Sequence, residues 1–518
     1  MLSRLALQHE ATGLRVTSLG KVLVANRGEI AVRVLRACRD VGLPTVAVFS
    51  TADRGALHVR AAGEAFEIGP APARESYLAI ERILDAARRA GAGAVHPGYG
   101  FLAENAAFAE AVEAAGLIWI GPPPDAIRAM GEKTAARRAM EAAGVPVVPG
   151  TAQSLADVGA ATEAAGQAGY PVLLKAAAGG GGKGMRIVHD PDALAPAFAA
   201  ASREALGAFG DASVYLEKYL AEARHVEIQI LADRDGRTIH LGERECSLQR
   251  RHQKVVEESP APGLDATTRE RMGEVAVRAA RAVGYVGAGT VEFLLAPDGS
   301  FWFLEMNTRL QVEHPVTESV TGIDLVAAQL SIAAGEDLPL AQEDVRLRGH
   351  AIECRIAAED PARGFLPATG RIEAYREPGG PGIRVDSGVA ASSVVSPHYD
   401  PLLLKVISHG RDRGEALARM RRALSELEVV GVATNAGFQR ALLAQPEVLA
   451  GRVHTRWLED NADRVVETAA DLRRQGEPLA AALAAWSRVA EGPRARAQAP
   501  AAIERGRWRS AARWTGLT

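Results

Sequence analysis

The sequence predicts an α/β protein of several domains, parallel and Rossmann-like at its N-terminal end and antiparallel α+β beyond it. Three observations carry that reading. "KVLVANRGEIAVRVLRACRDVGLPTVAVFS" (residues 21–50) runs strand, turn, helix, strand, the βαβ unit of a parallel sheet. "TVEFLLAPDGSFWFLEMN" alternates about a central turn, as a β-hairpin does. At 518 residues the chain exceeds one core, so three or four lobes of roughly 100–200 residues each are expected.

In the first unit, 22–25 is a short apolar strand, and Ile30, Val34, Leu35 and Cys38 recur at helical spacing. Gly42 and Pro44 end the helix, and 45–49 form a second buried strand. "GAVHPGYGFLAEN" closes another such unit, with "LIWIGP" as the next strand. Residues 1–20 read as a leader and 21–134 as the Rossmann-like domain. A helix over 134–143 leads through the proline-punctuated "GVPVVPG" into a second domain, 135–345. There "PVLLKAAAGGGGKGMRIV" is strand, glycine loop, strand; "SVYLEKYL" is a strand; and "HVEIQILADRDGRTIHLGERECS" turns at 233–236. Residues 346–461 form a third, mixed α/β domain. The tail, 462–518, is rich in alanine and arginine, and Trp486, Trp508 and Trp514 crowd it. It reads as a helix with a loose end, or as a partner-docking segment anchored by those tryptophans.

Composition excludes several classes of function. Sixty basic and 63 acidic residues give a formal charge of −3 with no long single-sign block, so neither nucleic acid nor a membrane surface is an expected partner. The three cysteines, Cys38, Cys246 and Cys354, are too far apart for a zinc cluster or a disulfide framework, which fits a reducing, cytoplasmic location. No apolar run reaches the roughly 18 residues of a membrane span.

The loop "AAAGGGGKGMR" (176–186) suggests a phosphate cradle. A Walker loop requires GxxxxGK[ST], but Gly184 follows Lys183 and Ala177 stands five before Gly182. A dinucleotide turn requires a helix after the glycines, whereas "MRIV" reads as a strand. What remains is a hairpin whose backbone N–H groups can fold over phosphates, or a plain surface hairpin. Lys175 ends an apolar strand just before it, where an unpaired buried ammonium is costly and a phosphate would neutralise it.

The later hairpin is more informative. A two-residue turn at Asp298-Gly299 places Glu292 directly opposite Glu305. Facing carboxylates repel unless a cation lies between them. Asn307 shares their face, and three such oxygen donors suit Mg²⁺ or Mn²⁺. The polar positions continue through Arg309, Gln311 and Glu313. A straight strand would put Glu313 about 26 Å from Glu305, so the chain should bend after Asn307 to serve one site. A metal, an arginine and a carboxylate together suit phosphoryl transfer with proton removal.

From residue 21 to 461 the chain resembles the biotin carboxylases of the ATP-grasp superfamily. The resemblance rests on "ANRGEIAVRV", "HPGYGFLAEN", "KAAAGGGGKGMR", "ERECSLQRRHQKVVEESPAP", "EMNTRLQVEHPVTE" and "GHAIECRIAAED", in the family's order. It implies a central ATP-grasp domain with a mobile glycine-rich lid, about 150–222. Lys133 and Lys175 would hold ATP phosphates, and Gly181 and Gly182 would lie in the lid. Glu217, Lys218, Tyr219 and Leu220 would meet the adenine edge, and His225, Gln249 and His252 would line the nucleotide pocket. Glu292, Glu305 and Asn307 would hold Mg²⁺ or Mn²⁺, in agreement with the hairpin argument. Ala178 departs from relatives with a further glycine there, which stiffens the lid hinge slightly.

The resemblance also implies a mechanism. Glu313 would deprotonate bicarbonate held by Lys254, Arg309, Gln311 and Val312, giving carboxyphosphate and ADP. Carboxyphosphate would yield CO₂, and its phosphate would take the N1′ proton of biotin, with Arg355 stabilising the biotin enolate. None of the seven methionines has a neighbouring lysine, so this sequence lacks a biotin-accepting site of the AMKM type. The implied partners are therefore a separate biotin carboxyl carrier protein and a carboxyltransferase subunit, with a homodimer as in many relatives. The alternatives are another ATP-grasp carboxylate ligase, the front portion of a longer biotin-dependent carboxylase, or an inactive docking subunit, which the presence of all four catalytic groups disfavours.

Overall fold

The first strands show why the N-terminal region folds as it does. β1 (Val22–Val24), β2 (Thr45–Ser50), β3 (Glu64–Gly69), β4 (Ala94–His96) and β5 (Ile118–Trp119) form a parallel sheet in the order β3-β2-β1-β4-β5. Val22 and Val24 pack into one core with Ile30, Val34, Leu35 and Cys38 of the helix Gly28–Asp40. Leu23 faces the other side, among Ile83, Leu84 and Phe108. Alternation within three residues thus covers both faces, as a parallel sheet requires. The computed structural model describes residues 16–490 except 152, 177–184 and 339. Val16 and Leu19 are buried in the first of these cores, so the expected leader ends before them.

A small antiparallel sheet follows: β6 (Val172–Ala176), β7 (Arg186–Val188) and β8 (Val214–Lys218), in the order β7-β6-β8. It packs on the helices Val158–Ala168 and Leu194–Phe209 through a core of its own that includes Ala161, Val172, Leu174, Leu194 and Leu216. The glycine stretch linking β6 to β7, with Ala178, Gly181 and Gly182, lies outside the described residues.

The site is built on the largest sheet. It contains β9 (Arg224–Ala232), β10 (Thr238–Arg250), β11 (Gln253–Ser259), β12 (Gly287–Leu295), β13 (Phe301–Asn307) and β14 (His350–Ala357). The order is β13-β12-β9-β10-β11-β14, continued by strands Leu402–Gly410 and Ile383–Ser387, and the neighbours run antiparallel. The expected boundary at 345 therefore falls inside one continuous sheet, because β14 pairs directly with β11. Val226, Ile228 and Ile230 face a core with Met272, Val275 and Ala279 of the helix Ala266–Ala282. By period two, His225, Glu227 and Gln229 face the opposite side.

The hairpin β12–β13 corrects the expected turn. Leu295 stands opposite Phe301 and Phe293 opposite Phe303, a register one residue away from that of a two-residue turn. The loop is longer, with Ala296 N–H donating to the Ser300 carbonyl at 2.8 Å. An irregularity at Leu304 then restores Glu292 opposite Glu305. Two register steps cancel, and the carboxylates meet for a reason the turn alone does not supply.

The helix Trp457–Ala490 runs through 462, so the expected tail does not begin at a break in secondary structure. The chain divides into two units at Val466 and Glu467, and the described part of the second, 467–490, is helical. Trp508 and Trp514 lie outside the described residues. Among the described residues no helix is long and apolar enough to cross a membrane.

Candidate active site

A row of charges crosses the large sheet. Glu305 on β13 faces Glu292 on β12, Glu292 faces Glu227 on β9, and Glu227 faces Arg244 on β10. Three neighbouring carboxylates are tolerable only with cations between them. Arg244, fully buried, ion-pairs with Glu227 and donates to Gln229 at 2.7 Å and to Thr290 and Thr317 at 3.0 Å. Lys254, from β11, ion-pairs with Glu227 and lies 3.0 Å from Glu292 Oε1 and 2.6 Å from Glu313 Oε1. Burial would lower the Lys254 ammonium, but these three carboxylates outweigh it and hold its pKa well above the ordinary value.

The chain bends after Asn307, as the spacing requires, and the loop to the helix His314–Thr321 folds back on Glu292. Gln311 Nε2 and Asn307 Nδ2 both donate to Glu292 Oε1 at 2.8 Å. His225 Nε2 lies 3.0 Å from Glu292 Oε2. Burial would raise Glu292, but Lys254 and His225 outweigh it and hold the carboxyl well below the usual range. Arg309 spans Glu104 (Nε, 2.9 Å) and Asn307 (Nη2 to Oδ1, 2.8 Å).

Glu313 is fully buried between cations: besides Lys254, Arg355 Nη2 donates to its Oε2 at 2.8 Å. Arg355 Nε donates to Glu257 at 2.6 Å. Burial would raise the Glu313 carboxyl, but Lys254, Arg355 and Arg244 outweigh it and keep it far below the usual carboxylate range. Val312 presents its carbonyl to Lys405 Nζ at 2.7 Å.

Glu305 is the contrasting case. It is half-buried, and among the described residues it has neither a hydrogen bond nor an ion pair. Burial and then the facing Glu292 push its carboxyl up, against the opposing charges of Lys133 and His225. An underused carboxylate, a facing carboxylate and the Asn307 amide are hard oxygen donors that fit Mg²⁺ or Mn²⁺. Occupying that position would displace protein donors from Glu292 Oε1, which accepts from Lys254, Asn307 and Gln311 at once.

Two cavities flank β13 and meet at Glu217 and Leu304. One, of about 390 Å³, is lined by Lys133, Glu305, Asn307, Arg309 and Glu104. The other, of about 310 Å³, gathers Lys175, Glu217, Lys218, Tyr219, Leu220, His225, Gln249 and His252 against apolar Ile187, Leu294 and Leu304. Arg251 and His252 both adopt positive φ, 49° and 62°, in the tight turn between β10 and β11 that brings His252 to the wall. A third, smaller cleft of about 90 Å³ holds Lys254 and Arg355.

One expectation changes here. Lys175 is not left for a phosphate alone, because it ion-pairs with Glu217. Lys175 faces Tyr215 on β8, and Glu217 lies two residues further on the same face. Glu217 also takes Arg137 Nη1 at 3.4 Å, so two cations engage its carboxylate while the residue lines the smaller cavity beside Lys218, Tyr219 and Leu220. Lys218 donates to the carbonyls of Gly169 (2.8 Å) and Tyr170 (2.9 Å), bracing the small sheet.

Glu104, Glu227, Arg244, Glu257 and Lys405 were not singled out by sequence. Glu227 carried a legible signal, since "HVEIQI" alternates polar and apolar as the carboxylate hairpin does. Glu104 lies within "HPGYGFLAEN", but nothing local shows that it holds an arginine 205 residues away.

Family models match three successive stretches: "Biotin carboxylase, N-terminal domain" over 18–127, "Carbamoyl-phosphate synthase L chain, ATP binding domain" over 132–341, and "Biotin carboxylase C-terminal domain" over 353–460. A biotin carboxylase of Nostoc sp. is 53% identical over 440 residues, 85% of this chain and 98% of that protein. A biotin carboxylase–β-γ-ATP complex from Campylobacter jejuni superposes with a TM-score of 0.82 at 45% identity, covering 85% of this chain and 98% of that one. The biotin carboxylase domain dimer of Hydrogenobacter thermophilus 2-oxoglutarate carboxylase, in complex with MgADP, ADP and bicarbonate, gives 0.82 at 47% identity, covering 86% and 98%.

Proposed function

The chain belongs to the biotin carboxylase family, and we propose that it carries out the first half-reaction of a biotin-dependent carboxylase, carboxylating biotin with ATP and bicarbonate. It is an ATP-dependent ligase. The observation that supports this assignment of the site best is the placement of Glu313 between Lys254 and Arg355, one loop away from Glu292, Asn307 and Arg309.

The nucleotide occupies the two cavities, its base against the apolar wall of the smaller one and its phosphates toward Lys133 and Lys175. The small sheet β6–β8 and the helices Val158–Ala168 and Leu194–Phe209, with their separate core, close over it as a lid and exclude water. Glu292, Glu305 and Asn307 would hold Mg²⁺ or Mn²⁺, which when bound neutralises charge on the phosphates. Lys254, Arg309, Gln311 and Val312 hold bicarbonate, and Glu313 takes its proton. A carboxylate held as low as Glu313 is a poor base. It therefore gains strength when Lys254 turns from it to the incoming anion, which couples deprotonation to binding. Arg355 then stabilises the charge that develops on biotin.

No methionine in these residues stands beside a lysine, so biotin reaches the site on a carrier segment outside them, and a carboxyltransferase takes the product. The dimeric state of the Hydrogenobacter domain supports a homodimer here. The test is bicarbonate-dependent ADP release by the purified chain. Stimulation by free biotin is expected, and stimulation by an amino acid or amine instead assigns it to another ATP-grasp ligase.

A further inference from the structure

Lys405 lies in the strand Leu402–Gly410, outside every motif that marks the site, and is completely buried. Its ammonium is the 2.7 Å donor to the Val312 carbonyl. It stands directly opposite Arg355, whose guanidinium holds the side chain of the very next residue, Glu313. Two cations paired across neighbouring strands thus grip consecutive residues of one loop.

The consequence for the backbone is specific. A peptide unit is planar, so fixing its carbonyl fixes its N–H. His314 Nδ1 lies 2.8 Å from the Gln311 carbonyl, which orients the 311–312 unit and with it the Val312 N–H. Lys405 orients the next unit, 312–313, and so the direction in which Glu313 leaves the backbone. An ammonium in this place requires compensation. Glu29 Oε2, from the first helix, lies 3.4 Å away, Asp386 lies 3.9 Å away, and Glu353 also faces it.

We propose that Lys405 is a positioning residue for bicarbonate, locking the Val312–Glu313 peptide so that the anion meets a preformed cradle. This rests on the assignment of residues 309–313 to bicarbonate made above. It adds a group that touches neither substrate nor nucleotide, and it ties the cradle to both the C-terminal strands and the first helix.

The test uses the full chain with Lys405→Met, read by KM for bicarbonate, KM for ATP and thermal midpoint. Loss of a charge-assisted anchor should raise the bicarbonate KM by about tenfold to a hundredfold, with the ATP KM held within about twofold. The variant orphans Glu29, so Lys405→Met/Glu29→Gln is measured beside it. The double variant should regain thermal stability yet keep the raised bicarbonate KM. A bicarbonate KM that recovers together with stability, or one that rises only in step with the ATP KM, overturns the proposal. Gln311→Ala separates this from the underlying assignment. If it raises the bicarbonate KM and Lys405→Met does not, only the role of Lys405 fails; if neither variant raises it, residues 309–313 are not the bicarbonate site.

Discussion

Glu305 and Glu313 are eight residues apart in "EMNTRLQVE", yet the protein treats them oppositely. Glu313 is buried against Lys254 and Arg355 and held far below the usual carboxylate range. Glu305 faces Glu292 without a hydrogen bond or ion pair among the described residues, and its carboxyl is pushed up. One end of the strand-and-loop is saturated with cations, while the other is short of them. On the assignment proposed above, the difference divides the site into an end that receives an anion and an end that receives a metal.

The strongest way to break this comparison is Glu313→Gln. The amide keeps the shape but cannot accept a proton, so biotin-dependent phosphate release should fall by about 10²–10⁴. Nucleotide affinity, assigned above to the two cavities flanking β13, should hold within about twofold. A variant retaining a tenth of normal turnover would remove Glu313 from the role of base.

How much of this was legible follows from what each part depends on. The parallel unit, the two hairpins and the bend after Asn307 were readable, because alternation and turn residues act over a few positions. The facing of Glu292 and Glu305 was anticipated through a turn that does not form; the irregularity at Leu304 restores the register. The fusion of the second and third regions into one sheet was not readable, since β11 meets β14 across about a hundred residues. Lys405 is the most instructive omission. "PLLLK" (401–405) repeats "PVLLK" (171–175), but Lys175 stands near the end of its strand beside a glycine loop, whereas Lys405 lies inside the strand Leu402–Gly410 with no motif beside it. In both places the buried ammonium has a carboxylate from a distant strand or helix, which no local pattern reveals.

Glu305→Gln tests the other end with a smaller expected effect. Removing one anionic ligand should raise the Mg²⁺ concentration for half-maximal ATP hydrolysis by about tenfold. It also removes the repulsion with Glu292, so the metal-free protein should melt no lower than wild type, while its gain on adding Mg²⁺ shrinks. An unaltered Mg²⁺ titration would count against the metal assignment.

Glu29 supplies the intermediate case, and with it the smallest effect. Among the described residues it has one ion-pair partner, Lys405 at 3.4 Å, with Arg355 a weaker influence, and neither carboxylate oxygen has a hydrogen bond. Burial therefore outweighs Lys405, and the carboxyl is raised to about 7. Its unfolded value is about 4.3. A raised folded pKa gives stability that is fully present below the unfolded value and lost as pH rises through about 7. Wild type should therefore lose thermal stability between pH 5.5 and 8 by on the order of a few kcal/mol from this group. Glu29→Gln should flatten that slope. Equal slopes in the two proteins would mean that Glu29 stays ionised throughout, so that one cation at 3.4 Å without a hydrogen bond suffices to hold a buried carboxylate. In that event the contrast between Glu305 and Glu313 would rest on the presence of any cation at all, and the number and geometry of the donors around Glu313 would add nothing to it.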